Sequence, residues 1–196
     1  MRRKQFFDLA VLTLRAPQQA AAQIISLNLN RNALWSGLAL TAIINTVMFN
    51  ITLMAAGDTS TIPDIFKSPI AFFIILAGIL VMTVHAFYWT GLSIGGKGDL
   101  GHLLALLVWL QLLRAVAQAA MVVLLAVSPG FALLFSFATG IVGLWILVNF
   151  ITAALHLPSV AHGFAVVILA AVGLILGLLL IGGLVGLSSL GVPANV

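Results

Sequence analysis

The stretch "WLQLLRAVAQ", Trp109–Gln118, sets an arginine between two glutamines inside a long apolar run. Gln111, Arg114 and Gln118 recur at helical spacing, so on a helix they form one polar stripe. A guanidinium keeps its proton in any protein environment. Holding one at the centre of a bilayer-spanning helix costs ~2.5–3.5 kcal/mol on insertion scales. The chemistry open to it is recognition of an anion, a lipid phosphate or a partner's carboxylate. The competing reading is an arginine that snorkels to the membrane surface. At ~1.5 Å per helical residue, His85, Gln111 and Asn149 lie roughly 12–14 Å into their runs, and Arg114 and Asn45 about 18 Å in. Similar depth allows these side chains, from four helices, to meet in one polar crevice. No acid is among them, so Arg114 has amide and backbone oxygens for company but no internal counter-charge.

Other residues suggest chemistry and fail on spacing. "GGKGD", Gly95–Asp99, lacks the G-x-x-x-x-G-K-[ST] pattern and follows no strand, so it is read as a flexible turn presenting Lys97 to headgroups. The four histidines, His85, His102, His156 and His162, have no nearby carboxylates. Zinc and iron sites want three or four convergent ligands, and even facing histidines for a haem have only the depth of His85 in their favour. No metal and no cofactor is expected. Without cysteine, paired carboxylates or a Ser–His arrangement, no nucleophile and base can be named.

The elements that carry these residues follow from composition. The chain of 196 residues is 63% hydrophobic and 6% charged, against ~25% charged in a soluble domain. It is an integral membrane protein, and no extramembrane catalytic domain fits. Eight basic against four acidic residues form no basic face, so no nucleic-acid partner is expected. Five apolar runs, 33–55, 69–93, 102–127, 131–157 and 160–187, are each long enough to cross a ~30 Å hydrocarbon core. Unbroken runs rather than alternation argue for helices over a barrel. Ser128-Pro129-Gly130 and Leu157-Pro158-Ser159 are tight turns, which makes the last three spans antiparallel hairpins.

Arg2, Arg3, Lys4, Arg15, Arg31 and Lys97 fall on one side of this arrangement, and Lys67 alone on the other, with Asp58 and Asp64. That asymmetry predicts a cytoplasmic N-terminus and an exoplasmic tail over 188–196. Residues 1–32 form the cytoplasmic lead. As a helix, its start gathers Phe6, Phe7, Ala10, Val11 and Leu14 on one face and Lys4, Asp8 and Arg15 on another, which predicts a helix lying on the membrane surface. Asp8 and Arg15 interrupt any signal-peptide core. In the last span, Gly173/Gly177 and Gly182/Gly186 are paired G-x-x-x-G motifs on opposite sides, offering close packing within the bundle or with a neighbour.

Several of these landmarks occur together: the Phe-rich lead with Pro17 after it, "GLSIGGKGDLGHLLALLVWLQ" (Gly91–Gln111) between spans two and three, and "LWILVNFITAALHLPS" (Leu144–Ser159) closing span four. Over residues 5–187 the chain resembles the Yip1-domain family in its short bacterial form. The resemblance implies five spans with a cytoplasmic N-terminus, in a bacterial inner membrane. Eukaryotic relatives carry a long hydrophilic N-terminal region and work with small GTPases. That region has no counterpart before Phe6, so no small GTPase is expected as partner. What the resemblance implies here is a membrane-organising scaffold or accessory subunit, binding lipid and other membrane proteins or itself. The alternative is a small anion or lipid transporter using the stripe around Arg114. Against proton or cation coupling, all four acids lie outside the spans.

Overall fold

The computed structural model describes residues 3–56 and 62–185, and they are helical with no strand among them. Arg2, Asp58, Gly186 and the 188–196 tail lie outside the described residues. The lead forms α1 (Arg3–Arg15) and α2 (Pro17–Ser26). The spans are α3 (Arg31–Ala56), α5 (Pro69–Ser93), α6 (Leu100–Val127), α7 (Pro129–Ala154) and α8 (Val160–Val185), with a single turn, α4 (Asp64–Lys67), before α5. Five helices are long and apolar enough to cross a membrane.

Local chemistry explains the helix ends. Proline stands at the first turn of α2, α5 and α7, where its missing N–H costs nothing. Asn30 Oδ1 accepts from the Ala33 amide at 2.7 Å, and Asp99 Oδ1 from the Gly101 amide at 2.6 Å, satisfying donors that α3 and α6 leave open. Ser128 alone separates α6 from α7, because Pro129 already starts the next helix; the three-residue turn expected there shrinks to one. The fourth span ends at Ala154, earlier than its apolar run. There the Leu157 amide donates to Thr152 O at 3.0 Å and His156 takes a left-handed φ of 51°. Asp64 and Lys67 pair at 2.8 Å in α4, and the hydrogen bond and charge of Lys67 hold the Asp64 carboxyl below its ordinary value.

The spans close a ring in which α6 packs on α3 and α7, α3 on α5, and α8 on both α5 and α7, with α5 also touching α6. The core is concentrated at the end where the lead docks: Val84, Leu103, Leu104, Leu106, Phe150, Ile151, Leu155 and Val166 are fully buried. Toward the other end the helices turn apolar side chains outward, among them Phe131, Leu134 and Phe137 of α7 and Leu178 to Leu180 of α8. In lipid such surface costs nothing, and helix association rests on close packing and hydrogen bonds.

That close packing uses glycines. A Cβ on Gly98 would meet the Ala154 carbonyl and the Leu155 backbone, and one on Gly163 the Thr152 hydroxyl and the Val148 carbonyl. Gly37 rests on Val108, which sets the register of α3 against α6. Gly173 and Gly177, by contrast, have open space where a Cβ would stand, so that motif packs against nothing within the described chain. Gly182 lies in α8, one turn before the end of the described residues.

Candidate functional site

The lead is bolted to the flank of the bundle. The Trp109 indole N–H donates to Thr13 Oγ1 at 3.0 Å, and Thr13 in turn donates to the Leu9 carbonyl at 2.7 Å. Phe6 meets the Trp109 ring edge-on at 5.2 Å. One helix later, Gln18 Nε2 donates to Asn149 Oδ1 at 3.2 Å, while Asn149 Nδ2 donates to its own helix at Trp145 O, 2.8 Å. Leu9, Ala20, Ala21 and Ile24 complete a buried inner face.

This corrects the expected face of the lead. Phe6 and Phe7 do not act together: Phe6 turns inward with Leu9 and Thr13, and Phe7 points out, 66% exposed, with Val11 and Leu14. Consecutive residues on a helix are ~100° apart, so a helix gripped on one side must split them. Lys4, Asp8 and Arg15 are exposed, and Arg3 begins α1.

The polar residues assigned to the spans sort into four groups rather than one. Asn149, 3% exposed, belongs to the lead junction. His85 Nδ1 donates to the Val81 carbonyl at 2.8 Å, and the ring stacks on Trp35 at 6.1 Å. By the Gly37–Val108 register, Trp35 stands roughly two turns of α6 before Arg114. Asn45, buried, donates to the Thr41 carbonyl at 2.7 Å, and Thr41 and Thr46 beside it bond to their own helix in the same way. Each thus finds a local partner, as a polar group in lipid must.

Arg114 is different. Along the α6 stripe Leu107 is buried, Gln111 is half-buried, Arg114 is exposed and Gln118 is half-buried again. Among the described residues no hydrogen bond or ion pair engages the guanidinium. The Gln118 Oε1 atom is buried with no partner. The same register puts Asn45 of α3 level with the stretch between Arg114 and Gln118. Gln111, Arg114 and Gln118 therefore form a stripe open to the outside of the bundle, with Asn45 at its depth and His85 and Asn149 nearer the lead.

The Gly-Gly-Lys-Gly loop is structural. Three of its amides are already committed, Gly95 to Leu92 O, Gly96 to Gly91 O and Lys97 to Leu155 O at 2.9 Å, so no run of N–H groups is left to cradle a phosphate. Gly95 has φ 96° and Lys97 is exposed. No three histidines or acids gather as a metal group among the described residues. Ser159 Oγ and His162 Nδ1 share a hydrogen bond at 2.8 Å, and His102 Nδ1 is buried without a partner.

The family of the Yip1 domain matches residues 11–182, most of the lead and all but the last turn of the bundle. The chain belongs to the Yip1-domain family. No curated protein and no solved structure matched it. The Yip1 match begins inside α1, so it takes in the end of α1 and all of α2 as well as the spans. Reading the sequence missed Thr13 and Gln18 as its fasteners. Thr13 carried one signal, a small hydroxyl on the same helical side as Phe6 and Leu9; Gln18 carried none that distinguishes it from Gln19.

Proposed function

We propose that this Yip1-domain protein is a non-catalytic scaffold or accessory subunit of the bacterial inner membrane, with its lead on the cytoplasmic side. It binds partner membrane proteins, or a second copy of itself, through the α6 stripe of Gln111, Arg114 and Gln118. One observation carries this reading: among the described residues, a guanidinium in mid-span faces outward without a counter-charge. A guanidinium so placed in hydrocarbon is stabilised by an external carboxylate or phosphate. Asn45 supports the stripe from α3 at the same level. His85 and Asn149 hold the helices and the lead in place around it.

The test replaces Arg114 with Leu and with Lys in the full chain, followed by mild-detergent purification and mass spectrometry of co-purifying chains and lipids. The Leu variant should insert and keep its thermal stability while losing the partner; the Lys variant should retain it in part, since it keeps charge but not the fork. Unchanged co-purification in the Leu variant refutes the assignment. Arg114-dependent anion or lipid flux in liposomes, without any partner, makes the chain a transporter instead.

A further inference from the structure

The end of the bundle that holds the lead carries a second polar site, independent of Arg114. A cleft of about 340 Å³ opens between α2, the end of α7 and the start of α8, lined by Gln18, Thr152, His156, Pro158, Ser159 and Val160. Its volume lies at the small end of the range for ligand pockets, ~300–1,000 Å³. It sits where two spans meet their connecting turn, the level at which phospholipid headgroups lie.

Its lining is rich in donors. The Gln18 amide has two N–H groups and gives one to Asn149, leaving one for the cleft. His156 is exposed and has no side-chain hydrogen bond among the described residues, and Ser159 carries the hydroxyl already joined to His162. No carboxylate lines the cleft. Asp99, the acid of the adjoining loop, accepts from the Gly101 amide, and Lys97 is held by its backbone to Leu155, next to His156.

The backbone at His156 adds an independent indication. The Leu157 amide bonds to Thr152 O and the His156 amide to Ala153 O, the paired bonds of a helix end that favours glycine at the left-handed position. Here that position, φ 51°, holds a histidine. A side chain there works against the backbone, and strain of this kind concentrates at ligand sites.

We infer that this cleft binds the phosphate of a phospholipid headgroup, with Gln18 and His156 as donors. Because Gln18 belongs to the lead, the site is complete only while α2 is docked, so a bound lipid also fastens the lead to the bundle.

The experiment uses the purified full chain in dodecyl maltoside with dihexanoyl phosphatidylglycerol as probe, scored by native mass spectrometry. His156→Gly relieves the backbone and removes the donor, so its Tm should hold or rise while lipid retention falls about ten-fold, the loss of one hydrogen bond to a charged group. His156→Asn tolerates the same φ and keeps an N–H, and it should restore most of the retention. Equal retention by His156→Gly and the original overturns the assignment. So does displacement of the lipid by an equal concentration of inorganic phosphate, which makes the cleft a free-phosphate site.

Discussion

Trp109 and Thr13, 96 residues apart, are joined by the hydrogen bond that seats the lead on the bundle. Both are buried, so the bond has no solvent substitute. Thr13→Val keeps the shape and strands the indole N–H, a change worth about 1–3 kcal/mol. Amide hydrogen exchange across α1 should quicken by roughly ten-fold or more, while exchange in the bundle core stays as it was. Thr13→Ser should behave like the original. Unaltered exchange in α1 of the Val variant shows that the lead is held by something else.

Phe6 and Phe7 should part company on substitution. Phe6→Ala removes the contact with Trp109 and part of the inner face, and truncation of a packed aromatic of this kind costs up to about 3 kcal/mol of lead docking. Phe7→Ser leaves docking intact and weakens only the grip of the exposed face on lipid. Trp fluorescence of the Phe6→Ala variant should shift and that of Phe7→Ser should not. The same response from both returns them to a shared face.

The glycines of the bundle divide in the same manner. Gly98→Ala and Gly163→Ala drive a methyl into backbone or side-chain oxygen of α7, and each should lower Tm and monodispersity in detergent, by an overpacking cost of about 1–3 kcal/mol. Gly173→Ala and Gly177→Ala meet open space and should leave Tm unchanged, or raise it through better helix propensity. If they instead change the oligomeric state by light scattering, that face of α8 meets a neighbouring chain.

Orientation is the simplest prediction to check. The basic residues at the lead end predict that this end is cytoplasmic and, after five spans, that Val196 is outside. Alkaline phosphatase fused after Val196 should be active and a fluorescent protein that folds only in the cytoplasm should be dark. Bright cytoplasmic fluorescence there reverses the topology.

Architecture was legible because it rests on local physics. A bilayer demands long apolar runs with internally satisfied backbones, so the spans could be counted from composition alone, and prolines 17 and 69 marked helix starts by what their rings forbid. The exception proves instructive: span four ended at Ala154, before its apolar run did, because His156 turns left-handed and closes the helix by bonds that no hydropathy pattern contains.

The candidate site was legible only in part. The helical spacing of Gln111, Arg114 and Gln118 follows from residue numbers, and so does the stripe. Depth along a span was also countable. Azimuth was not, because which side of a helix faces a neighbour depends on side chains far away in the chain. Packing alone decided that Asn149 answers Gln18, that His85 lies on Trp35, that Phe6 turns in while Phe7 turns out, and that the arginine faces the outside of the bundle.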